Sequence, residues 1–189
     1  MQNYGYKKQP LILASASPRR SEILSRADVD FEVCPAADER CPAGLSPAER
    51  VLALARCKCE EIAARYPDRT VVGADTMVVL DGEALGKPHG TDEAVDMLMR
   101  LQGRTHTVMT GVWVVKNGQG DGFVDETAVD FYPMTRDEAA AYVATGEPMD
   151  KAGAYGVQGY GMRFVRGIRG DFFNVMGLPA ARLLRMLEE

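Results

Sequence analysis

The chain is poor in the side chains that bind soft or borderline metals. It has two histidines, His89 and His106, and four cysteines, Cys34, Cys41, Cys57 and Cys59, with no Cys-x-x-Cys pair among them. A histidine-rich metal cage is therefore excluded, and a reducing compartment disfavours a disulfide framework. Cys57 and Cys59 stand two apart in a helical pattern, point to nearly opposite sides and do not readily share a zinc. Any metal has to be a hard cation held by carboxylates and by the substrate itself. Long apolar runs are also missing: none approaches the roughly 20 residues of a membrane helix, and Met1 to Gln9 lacks the apolar core of a signal peptide. No membrane partner and a cytoplasmic location are expected. Positive charge is in deficit, with 22 Lys+Arg against 27 Asp+Glu for a net charge of −5. That argues against a nucleic acid polymer as partner, because non-specific affinity for phosphate backbones needs a basic excess. Neither Gly-x-Gly-x-x-Gly between a strand and a helix nor Gly-x-x-x-x-Gly-Lys-Ser/Thr occurs, so a dinucleotide dehydrogenase and a P-loop NTPase drop out.

What is present suits a soluble α/β chain. The 189 residues are 46% apolar, and a chain of this length buries roughly 70% of its unfolded surface without staples. The expected organisation is a flexible leader over 1–9 and one domain over 10–189, with room for two lobes. Pro10 to Ser15 reads as a buried strand, and Ser17-Pro18 as the start of a helix ending near Ala27. A strand over Phe31 to Ala36 precedes the capping box Ser46-Pro47-Ala48-Glu49 and a helix to about Tyr66. Thr70 to Leu80, apolar and β-branched and closed by the turn signal Asp81-Gly82, reads as the central strand. Next come a helix capped by Thr91 and stopped by Gly103, and two strands, Thr105 to Val115 and Phe123 to Tyr132, joined by a loose glycine-rich tip. A helix opened by the capping box at Thr135 follows and runs to about Ala144. Gly146 to Gly161 fits neither helix nor strand; a short strand near Phe164 to Ile168 and a helix from Pro179 complete the chain. This alternation predicts a mixed twisted sheet flanked by helices.

Three places break local rules. Arg19 and Arg20 occupy the first turn of a helix, where the macrodipole disfavours cations by about 0.3–1 kcal/mol each. Either an anion repairs that, with the helix N-terminus, Ser15 and Ser17 completing a phosphate cradle, or both arginines are solvated or paired with acids such as Glu22. Asp75 puts a carboxylate in the middle of an apolar strand. It has to be paired, metal-bound or open to a cleft, and Gly73 and Ala74 beside it leave room for a ligand to approach the backbone. Finally, four glycines between Gly153 and Gly161 alternate with Tyr155, Val157, Gln158 and Tyr160. Such a loop can hold a planar base while an amide reads its edge, or serve as a linker. Lys58 and Lys87 are further candidate anion ligands, each also readable as a surface lysine.

These residues fall into five blocks: Leu13-Ala-Ser-Ala-Ser-Pro-Arg-Arg20, Gly73-Ala-Asp-Thr76, Leu85-Gly-Lys-Pro88, Asp150-Lys-Ala-Gly-Ala-Tyr-Gly-Val-Gln-Gly159 and Val175-Met-Gly-Leu-Pro179. In that order they resemble the Maf-like nucleoside triphosphate pyrophosphatases over almost the whole chain, and the last two blocks look like the dTTP/UTP branch. The resemblance implies hydrolysis of a nucleoside triphosphate to the monophosphate and pyrophosphate with a divalent cation, Mg²⁺ or Mn²⁺. It also implies two α/β lobes with a central cleft, a fold similar to that of inosine triphosphatases, and leaves room for a homodimer. On the same basis Asp75 is the expected proton acceptor and metal ligand, with Glu39 as a second carboxylate near the metal. Ser15, Arg19, Arg20, Lys58 and Lys87 would hold the triphosphate, and Arg20, Thr76 and Gln158 would choose the base. Two other readings stand beside this one: a house-cleaning hydrolase of modified pyrimidine or inosine triphosphates, and a nucleotide-binding regulator of division septum formation with little turnover.

Overall fold

The computed structural model describes residues 10–37 and 44–188. Along the chain it forms β1 (Leu11–Leu13), α1 (Pro18–Arg26), β2 (Phe31–Val33), α2 (Pro47–Arg65), β3 (Val71–Leu80), β4 (Glu83–Leu85) and α3 (Thr91–Leu101). Then come β5 (Thr105–Lys116), β6 (Gln119–Phe131), α4 (Arg136–Val143), three short 3₁₀ turns, β7 (Val165–Arg169), α5 (Phe172–Met176) and α6 (Ala180–Glu188). The strands make one seven-stranded mixed sheet in the order β2-β1-β3-β5-β6-β7, with β4 beside β3. β1 is parallel to β2 and β3, while the β3–β4 and β6–β7 pairs are antiparallel. Among the described residues, no helix is long and apolar enough to cross a membrane.

Local signals account for most boundaries. At the start of α2, Ser46 Oγ accepts from the Glu49 N–H at 3.4 Å while the Glu49 carboxylate accepts from the Ser46 N–H at 2.9 Å. Thr135 and Glu138 repeat this reciprocal cap at α4. Thr91 departs from expectation: it is the first helical residue, and Gly90 occupies the cap position without a side-chain bond. Asp92 and Glu93 favour that helix start instead, and Glu93 accepts from the His89 N–H at 2.7 Å. The β5–β6 tip is also tighter than its glycines suggest. The strands run up to Asn117 and Gly118, whose φ angles of 54° and 75° make a two-residue turn. Gly120 and Gly122 are strand residues, and a Cβ at Gly122 would meet Trp113 Cε3 at 2.4 Å.

The chain folds as two compact units. The first takes the chain as far as Asp75, Thr110–Asp125, and the residues from Gly177 onward. Ile12, Ala14, Cys59, Ile62 and Val71 form a core there, with Trp113 and Val115 packed on it. The second takes Thr76–Met109 and Glu126–Met176, around Leu80, Leu98, Leu101, Val129, Phe131 and Phe164.

Within the first unit α2 lies directly on strand backbone, because two facing positions are glycine. A Cβ at Gly73 would stand 2.4 Å from the Ala55 carbonyl oxygen and 2.8 Å from Cys59 Cβ, and one at Gly111 would stand 2.5 Å from the Val51 backbone. Val51, Ala55 and Cys59, spaced four apart, are fully buried along that seam. The space beside Gly73 is thus filled by α2 rather than kept for a ligand, which corrects that expectation.

Candidate active site

β1 ends at Leu13, in register with Val72 of the parallel strand β3. Ser15 therefore leaves the carboxyl end of a parallel strand just before the amino end of α1, where α/β proteins commonly seat phosphate groups. The buried Ser15 Oγ accepts from the Ser17 N–H at 3.2 Å and from Arg20 Nη1 at 2.8 Å. Ser17 is the cap residue yet gives α1 no side-chain bond, so Ser15 organises this turn. Arg20 Nε donates to the Gly177 carbonyl at 2.8 Å, tying α1 to the segment before α6. Gly177 has a φ of 114°, a conformation open to glycine and few other residues. Burial lowers the pKa of Arg20, the negative charge of Asp75 opposes that shift, and Arg19 adds to it. Arg19 is half-buried in a first turn that carries no acid.

Every residue of β3 is buried except Asp75 and Thr76. The Asp75 carboxylate meets Lys58 Nζ at 2.8 Å, and the two side chains are 16% and 12% exposed. The glycine seam makes this reach possible: with α2 resting on β3 at Gly73, the residue before Cys59 comes down onto the carboxylate two positions further along the strand. The lone acid of the apolar run is thus ion-paired. Cys59, the neighbour of Lys58, donates its thiol to the Val71 carbonyl at 3.2 Å, and burial raises its pKa to about 12. Cys57 is only half-buried, as its spacing from Cys59 predicts.

Thr76, Lys87 and Gln158 belong to the second unit. Thr76 follows Asp75 along β3, Lys87 is exposed beyond β4, and Gln158 is half-buried in the glycine-dense segment. Glu39 lies outside the described residues. So the structure joins Ser15 to Arg20, joins Lys58 to Asp75, and puts the charge of Asp75 within reach of Arg20.

No group of three His, Cys, Asp or Glu side chains that could hold a metal ion occurs among the described residues. A magnesium-like ion is commonly held by one or two carboxylates plus substrate phosphates, and Asp75 on the partly open stretch of β3 fits that pattern.

Sequence reasoning gave no role to the Gly177 carbonyl or to Glu147. The Glu147 carboxylate accepts from Tyr142 Oη and from the N–H groups of Tyr160 and Gly161. Nearby, Gly153 and Ala154 are consecutive left-handed residues, with φ of 66° and 58°. A Cβ at Gly153 would press on Val78 Cγ2 at 2.9 Å, so both the fold of the chain and the space demand glycine. The only advance sign of Glu147 was the density of glycines that follows it.

Residues 10–189 match the model of a family described as Maf-like protein. The chain belongs to that family. Similar full-length relatives are each named dTTP/UTP pyrophosphatase. One from Moorella thermoacetica is 52% identical over 180 residues, covering 94% of this chain and 93% of the relative. One from Symbiobacterium thermophilum is 49% identical over 182 residues, 96% of this chain and 94% of the relative. One from Bacillus velezensis is 47% identical over 180 residues, 95% of each chain. Among solved structures, the Staphylococcus aureus Ham1 protein aligns with a TM-score of 0.42 at 12% identity, over 65% of this Maf-like chain and 72% of that one.

Proposed function

We propose that this Maf-like chain hydrolyses dTTP and UTP between the α and β phosphates, releasing the nucleoside monophosphate and pyrophosphate. The Lys58–Asp75 pair carries the reading: it sits on the only partly open stretch of an otherwise buried strand, in the same unit as the Ser15–Arg20 turn. The names of the full-length relatives supply the substrate class.

In this reading water oxygen bonds to the α-phosphorus while the bond from that phosphorus to the bridging oxygen breaks. Asp75 accepts the proton of the attacking water. Lys58 keeps that carboxylate aimed through their 2.8 Å contact, and Arg19 and Arg20, with the α1 amino end and Ser15, hold phosphate oxygens as charge moves to the departing pyrophosphate. Lys87 is a further proposed phosphate ligand, and Arg20, Thr76 and Gln158 are proposed to select the base. Asp75 would hold a Mg²⁺ or Mn²⁺ ion, with Glu39 as the proposed second carboxylate; such an ion supplies positive charge at the phosphates and lowers the pKa of water. A cytoplasmic setting, a homodimer and a house-cleaning role belong to the same proposal.

The test incubates the purified protein with Mg²⁺ or Mn²⁺ and dTTP, UTP, CTP, ATP, GTP, ITP or 7-methyl-GTP, resolving all phosphorylated products, with Asp75→Asn alongside. Monophosphate and pyrophosphate should form from dTTP and UTP, and the variant should be slower by about 10²- to 10⁴-fold. Nucleotide binding without turnover of any of them would overturn the enzyme reading and favour a binding regulator.

A further inference from the structure

The glycines of the 156–161 stretch share one neighbour, the carboxylate of Glu147. Its Oε2 accepts from the Tyr160 N–H at 2.7 Å, and its Oε1 accepts from Tyr142 Oη at 2.8 Å and from the Gly161 N–H at 3.2 Å. Tyr142 Oη in turn accepts from the Gly156 N–H at 3.0 Å. A Cβ at Gly159 would stand 2.2 Å from Oε2, and one at Gly156 would stand 3.1 Å from Oε1. The carboxylate therefore lies against both ends of Gly156-Val157-Gln158-Gly159. Burial pushes its pKa up, but the bonds from Tyr142, Tyr160 and Gly161 and the charge of Lys151 prevail and hold it below the usual range. Lys151 completes the same knot, its Nζ donating to the Glu147 carbonyl.

We infer that Glu147 is a positioning residue for base selection, its carboxylate fixing the backbone of Gly156–Gly159 and through it the placement of Gln158. The inference rests on the proposal that Gln158 reads the base. Gly159 then has a reason apart from loop freedom, since any side chain there would displace the carboxylate that templates the loop, while a Cβ at Gly156 would press on Lys151 Cε at 2.9 Å and crowd the carboxylate at 3.1 Å. A glutamine at 147 cannot replace it, because a carboxamide offers one acceptor oxygen and an NH₂ that would face the N–H of Tyr160 or Gly161, donor against donor.

The experiment compares kcat/KM for dTTP and dCTP in wild type, Gln158→Ala, Glu147→Gln, Tyr142→Phe and the Gln158→Ala/Glu147→Gln double variant, with circular dichroism as the check on folding. Gln158→Ala should reduce the preference for dTTP. Glu147→Gln should reduce it by about tenfold, the change expected when a charged hydrogen bond is lost. Tyr142→Phe, which removes only the hydroxyl between Glu147 and Gly156, should shift it the same way by less, and the double variant should add nothing to Gln158→Ala. If Gln158→Ala changes the preference while Glu147→Gln slows all nucleotides equally, Glu147 is merely structural and this inference falls alone. If Gln158→Ala leaves the preference intact, the base-reading proposal falls and the inference falls with it. Should Glu147→Gln not fold, the ratio measured in Tyr142→Phe decides: an unchanged ratio overturns the inference.

Discussion

An ammonium and a carboxylate 2.8 Å apart, both mostly withdrawn from water, hold each other in place. Removing either alone leaves a poorly solvated charge. Lys58→Met should therefore lower unfolding free energy by about 1–3 kcal/mol, less than for a fully buried pair because some solvent still reaches the site. The Lys58→Met/Asp75→Asn double variant should recover much of that loss. Urea unfolding of the four proteins measures the coupling, and strictly additive losses would show that the pair does not act as one. At this scale Asp75 was legible in the sequence, because a carboxylate in a β-branched run is costly unless something answers it. Lys58 was legible as a candidate anion ligand, but its pairing with Asp75 was not. Its partner lies 17 positions away, and only the seating of α2 on Gly73 brings them together. Glu147 was unreadable for the same reason, since its partners are mostly backbone N–H groups, which leave no mark in side-chain identity.

Helix α2 sits on the sheet through Gly73 and Gly111, and in both places an added methyl would strike helix backbone rather than a flexible side chain. Gly73→Ala is expected to cost about 3 kcal/mol or more, since the helix has to move outward. Gly82→Ala, at a turn with open space around it and a φ of 81°, should cost only about 1 kcal/mol for conformation. Denaturant midpoints of the two variants should separate clearly, and Gly73→Ala should also lose turnover as Lys58 is lifted from Asp75. Equal losses in the two would refute close packing as the reason for Gly73. Element order was largely readable from capping boxes, β-branched runs and the Asp81-Gly82 turn. The β5–β6 tip was misjudged because its glycines were counted as loop. Two of them instead accommodate Trp113, and that residue's place across the hairpin depends on register.

For the whole molecule, pH dependence of stability on the acid side has a buried contributor whose sign is clear. His106 is 2% exposed, its Nε2 lies 2.8 Å from Tyr155 Oη, and among the described residues its Nδ1 has no partner. Burial lowers its pKa from 6.5 to about 4. Below about pH 6.5 the unfolded chain therefore binds a proton that the folded chain refuses. Stability should decline as pH falls from about 6.5 toward 4, by up to about 3 kcal/mol from this residue. Thermal midpoints between pH 7 and 4.5 should fall less steeply in His106→Phe than in wild type; parallel curves would remove His106 from the account. The α/β class was legible at this scale from the alternation of patterns along the chain. Room for two lobes was read from the chain length and two lobes from the family resemblance, but the make-up of each unit was not legible, because each is assembled from separate stretches of sequence.

The thiol sealed under Gly73 has a consequence for measurement. With its pKa near 12 and no exposure, Cys59 cannot react with an alkylating reagent while α2 is docked. When reclosing outpaces labelling, its rate divided by that of a fully accessible thiol is the equilibrium constant for all openings that bare Cys59, the lifting of α2 among them. Because Lys58 precedes it on that helix, the same rate sets an upper limit on how often lifting of α2 withdraws the ammonium from Asp75 in the unaltered protein, with no substitution or substrate required.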